Sequence, residues 1–268
     1  MRQKVKIEGN HSAYHCGSAA VFSALTRILA ENHDIVDGEN YDALYVNGEG
    51  SMHHDSGHFS AKMEAIKAAI EAGRKAYLVN TVWQQNGNAY DLTLTQLSGL
   101  TVREVMSQSD LKHRHGIEAD IFLDLSYYEI IDQNAEELDW SGKVLITDFY
   151  AHELRMWYRV TSGPLAERTY VDLRAQNWSS LVKSMQTCRA VISGRHHAVY
   201  AACVARRPFV AVAGNTHKIE GLKRASGFPI PVLYSARDAN AMVRWAIDNR
   251  DMFSEFFHWM DEFPRWRP

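Results

Sequence analysis

Short apolar runs alternate with amphipathic stretches along most of this chain. Val5 to Glu8 reads as a first strand, and after a polar loop Ser18 to Glu31 carries apolar residues at helical spacing (Ala20, Phe22, Leu25, Ile28, Leu29). Ser18 is placed to cap that helix. Tyr41 to Val46 is the next apolar run, ending in Asn47-Gly48-Glu49-Gly50-Ser51, and a helix then runs from Phe59 to Ala72 until Gly73 stops it. Lys75 to Val82 reads as a strand, Leu92 to Leu97 as a helix, Thr101 to Met106 as extended, Ser109 to His115 as a helix and Ala119 to Leu125 as extended. A parallel sheet covered on both faces is what such alternation predicts.

The pattern lapses from Tyr128 to Gly142, a polar and acidic stretch that reads as a linker, and then restarts. Strands are expected at Val144 to Phe149, Tyr170 to Leu173, Ala190 to Ser193, Pro208 to Ala213 and Pro231 to Tyr234. Helices are expected at Glu153 to Val160, Trp178 to Thr187 and Ala198 to Ala205, with a long amphipathic helix from Ala236 to Met260. The predicted fold is α/β, two Rossmann-like domains facing a cleft, 1–135 and 136–268. Ligands of such sheets sit beyond the carboxyl ends of the strands.

Composition narrows the partners more than the fold. The formal net charge of −3 argues against wholesale binding to nucleic acid, so an acidic ligand has to meet a local basic site. Three widely spaced cysteines, Cys16, Cys188 and Cys203, suggest neither a disulfide framework nor a Cys-based zinc site and fit a reducing cytosol. The N-terminus lacks the apolar segment of a signal peptide and no run is long enough to span a bilayer, so a cytoplasmic location is expected. A position at the inner membrane face is compatible with that. Pro264-Arg265-Trp266-Arg267-Pro268 is a basic aromatic tail that could touch an anionic membrane surface or a partner. The tryptophans read mainly as core and packing residues. No oligomeric state follows from the sequence.

Three constellations carry candidate chemistry. In Ile192-Ser193-Gly194-Arg195-His196-His197-Ala198 an apolar strand runs into a cationic turn at the start of a small-residue helix. Arg195 offers a planar fork for a carboxylate or phosphate, His197 a proton near neutral pH, and the helix start adds backbone N–H groups. The competing reading is a surface arginine and two histidines in an ordinary loop. In Asn47 to Asp55, Glu49 with His53 or His54 could move protons, the glycines Gly48 and Gly50 letting the backbone approach a ligand beside Ser51. A tight turn whose glycines merely satisfy positive φ is the alternative. His54 and His58, four apart, would form an N/O metal site only if their segment is helical, and no metal is expected. In Asn10 to Ser18, His15 and Ser18 could line the cleft, or Ser18 could only cap its helix. GxGxxG and Walker A spacing are both missing, which disfavours nicotinamide cofactors and P-loop chemistry; no cofactor is expected. Cys16 is a poor candidate nucleophile, having no dedicated base.

Read in order, these segments resemble the polysaccharide pyruvyl transferase family. The resemblance rests on His15 to Ser18, Tyr41-Asp42-Ala43-Leu44 with Asn47 to Ser51, Arg103-Glu104 with Ser107 and Leu111, Ala119 to Leu125, and Gly194-Arg195-His196-His197-Ala198 with Pro208 and Lys218. It spans residues 8 to 225. His196 stands where the family usually has leucine. The resemblance implies a fold like the two-domain GT-B glycosyltransferases and transfer of a pyruvyl group from phosphoenolpyruvate to two hydroxyls of a sugar. It implies donor binding by Arg195 and His197. On that basis Arg195, His196, Lys218 and Arg103 are expected to hold the donor or its anion, with Glu49, His53 and His197 as acid–base candidates. The acceptor would be a sugar or glycan, free or lipid-linked. The alternatives are a GT-B glycosyltransferase using a nucleotide-activated sugar and a non-catalytic glycan- or nucleotide-binding module.

Overall fold

The computed structural model describes residues 2–148 and 168–268. The helix expected at Glu153 to Val160, with Trp157 and the strand end at Phe149, lies outside them. Two compact units account for the described chain, the first comprising residues 1–11, 22–125 and 264–268 and the second residues 12–21 and 126–263.

The first unit is built on a six-stranded, wholly parallel sheet. Its strands are β1 (Gln3–Glu8), β2 (His33–Ile35), β3 (Ala43–Glu49), β4 (Lys75–Thr81), β5 (Gly99–Val102) and β6 (Asp120–Ile121), in the spatial order β2-β1-β3-β4-β5-β6. Val5 pairs with Ala43, Ala43 with Lys75, and Tyr77 with Gly99. Every residue of β3 is buried, as a central parallel strand covered on both faces requires. The helices are α1 (Cys16–Ala30), whose first turns belong to the second unit, α2 (Gly57–Glu71), α3 (Asp91–Thr95) and α4 (Val105–Asp110). Ser56 caps α2 by accepting the Phe59 N–H, and Phe59, Met63, Ile66 and Ala69 drive its apolar stripe into a core with Leu44, Val46, Leu78, Trp83 and Val102.

Several local expectations are corrected. The strand expected to stop at Val46 continues through Asn47 and Gly48 to Glu49, so the glycine-bearing segment is a strand end rather than a loop. The positive φ falls on Glu49 (45°), not on Gly48 or Gly50. Gly48 is needed for another reason: a Cβ there would collide with the Thr81 side chain. Val105 and Met106, expected extended, open α4, because Glu104 caps it by accepting the N–H groups of Met106 and Ser107. Leu111 to His115 continues as a π turn that Gly116 ends in the left-handed region (φ 68°). Of the extended run to Leu125, only Asp120–Ile121 pairs as a strand.

The second unit carries a five-stranded parallel sheet. Its strands are β7 (Val144–Thr147), β8 (Thr169–Val171), β9 (Ala190–Ser193), β10 (Phe209–Val212) and β11 (Val232–Leu233), ordered β11-β10-β9-β7-β8. Its helices are α5 (Trp178–Met185), α6 (His196–Val204), α7 (Lys218–Ser226), α8 (Ala239–Asp248) and α9 (Arg250–Glu262). Helix α6 is buried over His196 to Cys203, which accounts for its small residues (Ala198, Ala201, Ala202). The C-terminal run is helical but divided at Asn249, whose φ/ψ of −106°/39° interrupts the helix. Phe253 and Phe256 of α9 pack on Phe209 of β10, at ring distances of 5.2 and 6.1 Å. Arg206 clasps α9 through a bidentate pair with Asp261, both bonds 2.8 Å.

Among the described residues no helix is long and apolar enough to cross a membrane. The tail proposed to touch a membrane belongs to the first unit, where Trp266 is buried with its ring 6.2 Å from Tyr45. Its aromatic is therefore engaged in packing.

Truncating Phe209 to Ala should lower unfolding free energy by about 3–5 kcal/mol in chemical denaturation. Removing the exposed Leu92 side chain should change it by less than about 0.5 kcal/mol.

Candidate functional site

Parallel strands deliver their last residues to one edge of the sheet, and in each unit that edge is where the buried polar residues collect. In the second unit β7 ends at Thr147 and is followed by Asp148, while its neighbour β9 ends at Ser193 and is followed by Gly194 and Arg195. Thr147 Oγ1 accepts the Gly194 N–H at 2.8 Å, and the Ser193 hydroxyl donates to the Arg195 carbonyl at 2.6 Å. These bonds pin the strand-to-helix turn. The Asp148 carboxylate then takes two partners, the Leu173 N–H at 3.0 Å and Nε of Arg195. Both side chains of that ion pair are only 9% exposed, so the guanidinium is held in one place and orientation.

Tyr14 adds to this, its hydroxyl accepting from Nη1 of Arg195 at 3.3 Å while the guanidinium lies 5.2 Å from its ring centre. Burial alone would lower the pKa of Arg195, but the bonds to Tyr14 and Asp148 more than reverse that and keep it charged. Arg195 is the N-cap of α6, and His196 and His197 are its first helical residues rather than part of the preceding turn. His196 lies against Tyr200, with ring centres 4.8 Å apart.

His15, and not Ser18, caps α1. Its Nδ1 accepts the Ser18 N–H at 3.1 Å and its carbonyl accepts from Ala19. Ser18 is the third helical residue and fully buried. Accepting at Nδ1 puts the imidazole proton of neutral His15 on Nε2. The His15 ring sits 5.0 Å from that of His197. Gly17 follows from the same crowding, since a Cβ there would collide with Cβ of His197. The N-terminal turns of α1 and α6 thus come together beside Arg195, where both helix dipoles favour an anion. Lys218 opens α7 after β10 in the same unit, half-buried. Cys16, at the start of α1, has its thiol pushed up to about 12 by burial and by Asp148, so it is no nucleophile at neutral pH.

The carboxyl edge of the first sheet holds a separate polar cluster. Glu49 is nearly buried (6% exposed) at the end of β3, and Asn47 Nδ2 donates to its Oε2 at 3.3 Å and to the Gly9 carbonyl at 3.1 Å. A register shift in the β4–β5 pairing brings Asn80, at φ 54°, into this cluster, where its amide donates to Asn47 Oδ1 and its oxygen accepts the Leu125 N–H. Arg103, just past β5, is 2% exposed and paired with the buried Asp124. Ser51 donates from its hydroxyl to the Gly48 carbonyl at 2.8 Å, and Gly50 is half-buried beside it. His53 is bridged to Gln84, and its Nδ1 lies 2.8 Å from that of His54. His54 precedes the helix at φ 54°, so His54 and His58 do not form the helical i, i+4 pair that a metal site would need.

Sequence reasoning missed Lys62. It projects from the buried stripe of α2, between Phe59 and Met63, to the end of β3. A lysine inside an apolar stripe was the available signal, since lysine is rarely buried without partners. Its Nζ lies 2.6 Å from the Asn47 carbonyl, 3.0 Å from the Gly48 carbonyl, 2.8 Å from Ser51 Oγ and 2.9 Å from His11 Nε2. Burial pushes the ammonium down to about 8, Glu49 opposing and Arg103 adding to the shift. Asp124, Asp148 and Tyr14 were likewise not singled out.

A family model described as polysaccharide pyruvyl transferase matches residues 5–216, most of the chain. This chain belongs to the polysaccharide pyruvyl transferase family. It is accordingly a transferase, with the α/β, GT-B-like fold of two Rossmann-like units. No curated protein matches it in sequence at a significant level. Among solved structures it is similar to an uncharacterized protein from Klebsiella pneumoniae subsp. pneumoniae, at TM-score 0.60 and 14% identity over 87% of this chain and 93% of that one. A candidate UDP-N-acetylglucosamine 2-epimerase from Listeria monocytogenes gives TM-score 0.61 and 12% identity over 98% and 92% of the two chains. The glycotransferase of kitacinnamycin gives 0.56 and 9% over 97% and 95%. At such identities these likenesses concern the fold.

Replacing Asp124 by Ala leaves Arg103 charged and buried without its counter-ion. Unfolding free energy should fall by about 3–5 kcal/mol in urea titrations, as for other broken buried pairs. With its pKa pushed up to about 12, Cys16 should show no fast reaction with a thiol reagent in the native transferase at mildly alkaline pH and should react on unfolding.

Proposed function

We propose that this transferase moves a pyruvyl group from phosphoenolpyruvate to a sugar of a surface glycan, free or lipid-linked. The observation that carries the reading is Arg195, held charged and oriented by Asp148 at the meeting of two helix N-termini inside the family-matched span. A fixed guanidinium backed by helix N-termini suits a small ligand bearing a carboxylate and a phosphate.

In the reaction one sugar hydroxyl adds through oxygen to C2 of the donor while C3 takes a proton and becomes methyl. A second hydroxyl then displaces inorganic phosphate from C2, closing the ketal. Two hydroxyl protons are lost; one balances the proton gained at C3 and the other leaves with phosphate or solvent. Arg195 and Lys218 hold the anion in this reading, with His196 as a supporting donor-side residue. His197 either completes the anion site or donates to C3, and Glu49 or His53 takes a hydroxyl proton. In this reading His15 stands beside the anion site in the second unit, and Gly50 and Ser51 stand beside Glu49 in the first. Lys218 lies just past the family-matched residues.

A glycosyltransferase reaction with a nucleotide-activated sugar is the second reading, favoured by the fold shared with the kitacinnamycin glycotransferase. The same arginine would then hold a diphosphate.

Phosphoenolpyruvate should raise the melting temperature of the wild-type transferase more than UDP or UDP-N-acetylglucosamine does. Arg195→Lys keeps the charge but loses the fork, and should weaken donor affinity about tenfold or more, the worth of one charge-assisted bond. Unchanged affinity in that variant would remove Arg195 from the donor site, and stabilisation by the nucleotides alone would favour the second reading.

A further inference from the structure

Four polar atoms surround Nζ of Lys62, and three of them can only accept from it. The Asn47 and Gly48 carbonyls are acceptors by nature, and Ser51 Oγ is one here because its hydrogen is spent on the Gly48 carbonyl. The fourth is the ring nitrogen Nε2 of His11, at 2.9 Å, in the half-exposed loop after β1. An ammonium group has three hydrogens. Giving them to Asn47 O, Ser51 Oγ and His11 Nε2, with Gly48 O served by Ser51, satisfies every partner. His11 is then neutral with its proton on Nδ1.

The amine form satisfies the same partners differently. Its two hydrogens go to Asn47 O and Ser51 Oγ, and its lone pair accepts from a proton on His11 Nε2. The two states keep the same heavy-atom contacts and differ by one proton: the ammonium state has the shared hydrogen on Nζ and a proton on His11 Nδ1, and the amine state has the shared hydrogen on Nε2 and none on Nδ1. A proton arriving at Nδ1 of His11 therefore releases the one on Nε2 to Lys62, and the positive charge comes to rest on the buried ammonium.

We propose that Lys62 and His11 form a proton-exchanging pair at the carboxyl edge of the first sheet, with His11 Nδ1 as the atom that takes up the proton and Lys62 as the residue that stores it. The groups facing the pair set where it titrates. Glu49 at the end of β3 favours the ammonium and Arg103 past β5 disfavours it. His58, one turn before Lys62 on α2, presents its ring 6.4 Å from that of His11. Burial, the largest of these influences, pushes the Lys62 ammonium down to about 8, within reach of physiological conditions. Taking the proton of an acceptor hydroxyl is the use such a pair would have, and that use rests on the pyruvyl-transfer reading. The proton sharing itself requires neither donor nor acceptor.

Nitrogen-15 labelling of histidine, with two-bond proton–nitrogen correlations recorded across pH, reads the tautomer of His11 directly. In the wild-type chain His11 should be the Nδ1–H tautomer at about pH 7 and the Nε2–H tautomer at about pH 10, on either side of the Lys62 transition. Lys62→Arg places a group there that never deprotonates and should hold His11 as Nδ1–H over the whole range. Lys62→Met should abolish the switch and return His11 to an ordinary imidazole titration near about 6.5. If the methionine variant does not fold, the wild type and the arginine variant decide between them. One tautomer throughout in the wild type, or a switch that survives either substitution, overturns the pair. Loss of phosphoenolpyruvate binding elsewhere in the chain would leave this result untouched, so the two readings fail separately.

Discussion

The ion pair between Asp148 and Arg195 is the interaction on which the candidate donor site depends. An arginine at the end of a buried strand is costly unless its charge is met, and Asp148 meets it from the neighbouring strand of the same parallel sheet. The pairing needs β7 beside β9 in register, Val144 against Ala190, so that both strands end together. Thr147 and Ser193 then fasten the turn through backbone bonds. The cost of holding a buried cation is thus offset by geometry that the sheet already supplies, and what remains is a guanidinium aimed from the start of α6.

The first unit solves a similar problem with different parts. Arg103 is deeper and paired with Asp124, while Lys62 reaches the strand edge from a helix and is hydrogen-bonded to carbonyls, a hydroxyl and an imidazole rather than to a carboxylate. The first arrangement suits a permanent charge. The second suits a proton that comes and goes, because none of the partners of Lys62 is a fixed counter-ion. One unit therefore presents a fixed cation and the other a titratable amine.

Much of the architecture was legible in the sequence because parallel strands here are short, apolar and bounded by polar residues; Ala190 to Ser193 was read with its observed limits. Strand ends were harder. Asn47 to Glu49 looks like a loop because it is polar and carries a glycine, yet its residues are buried in the sheet, and the hydrogen bonds that permit this come from Asn80 and Lys62, distant in sequence. The helix cap was misread for a comparable reason, since serine is a common cap and histidine is not, and only the ring geometry of His15 shows which one accepts. Arg195 and His197 were singled out because their turn has a pattern. Asp148 and Asp124 were passed over because a single carboxylate after a strand has none until its arginine is seen beside it.

A crystallographic complex with phosphoenolpyruvate tests the central claim most directly. The account predicts difference density for the donor beside α6, with a carboxylate or phosphate oxygen about 2.7–3.2 Å from the guanidinium of Arg195. Donor density bound elsewhere, with Arg195 still engaged only by Asp148 and Tyr14, would contradict it.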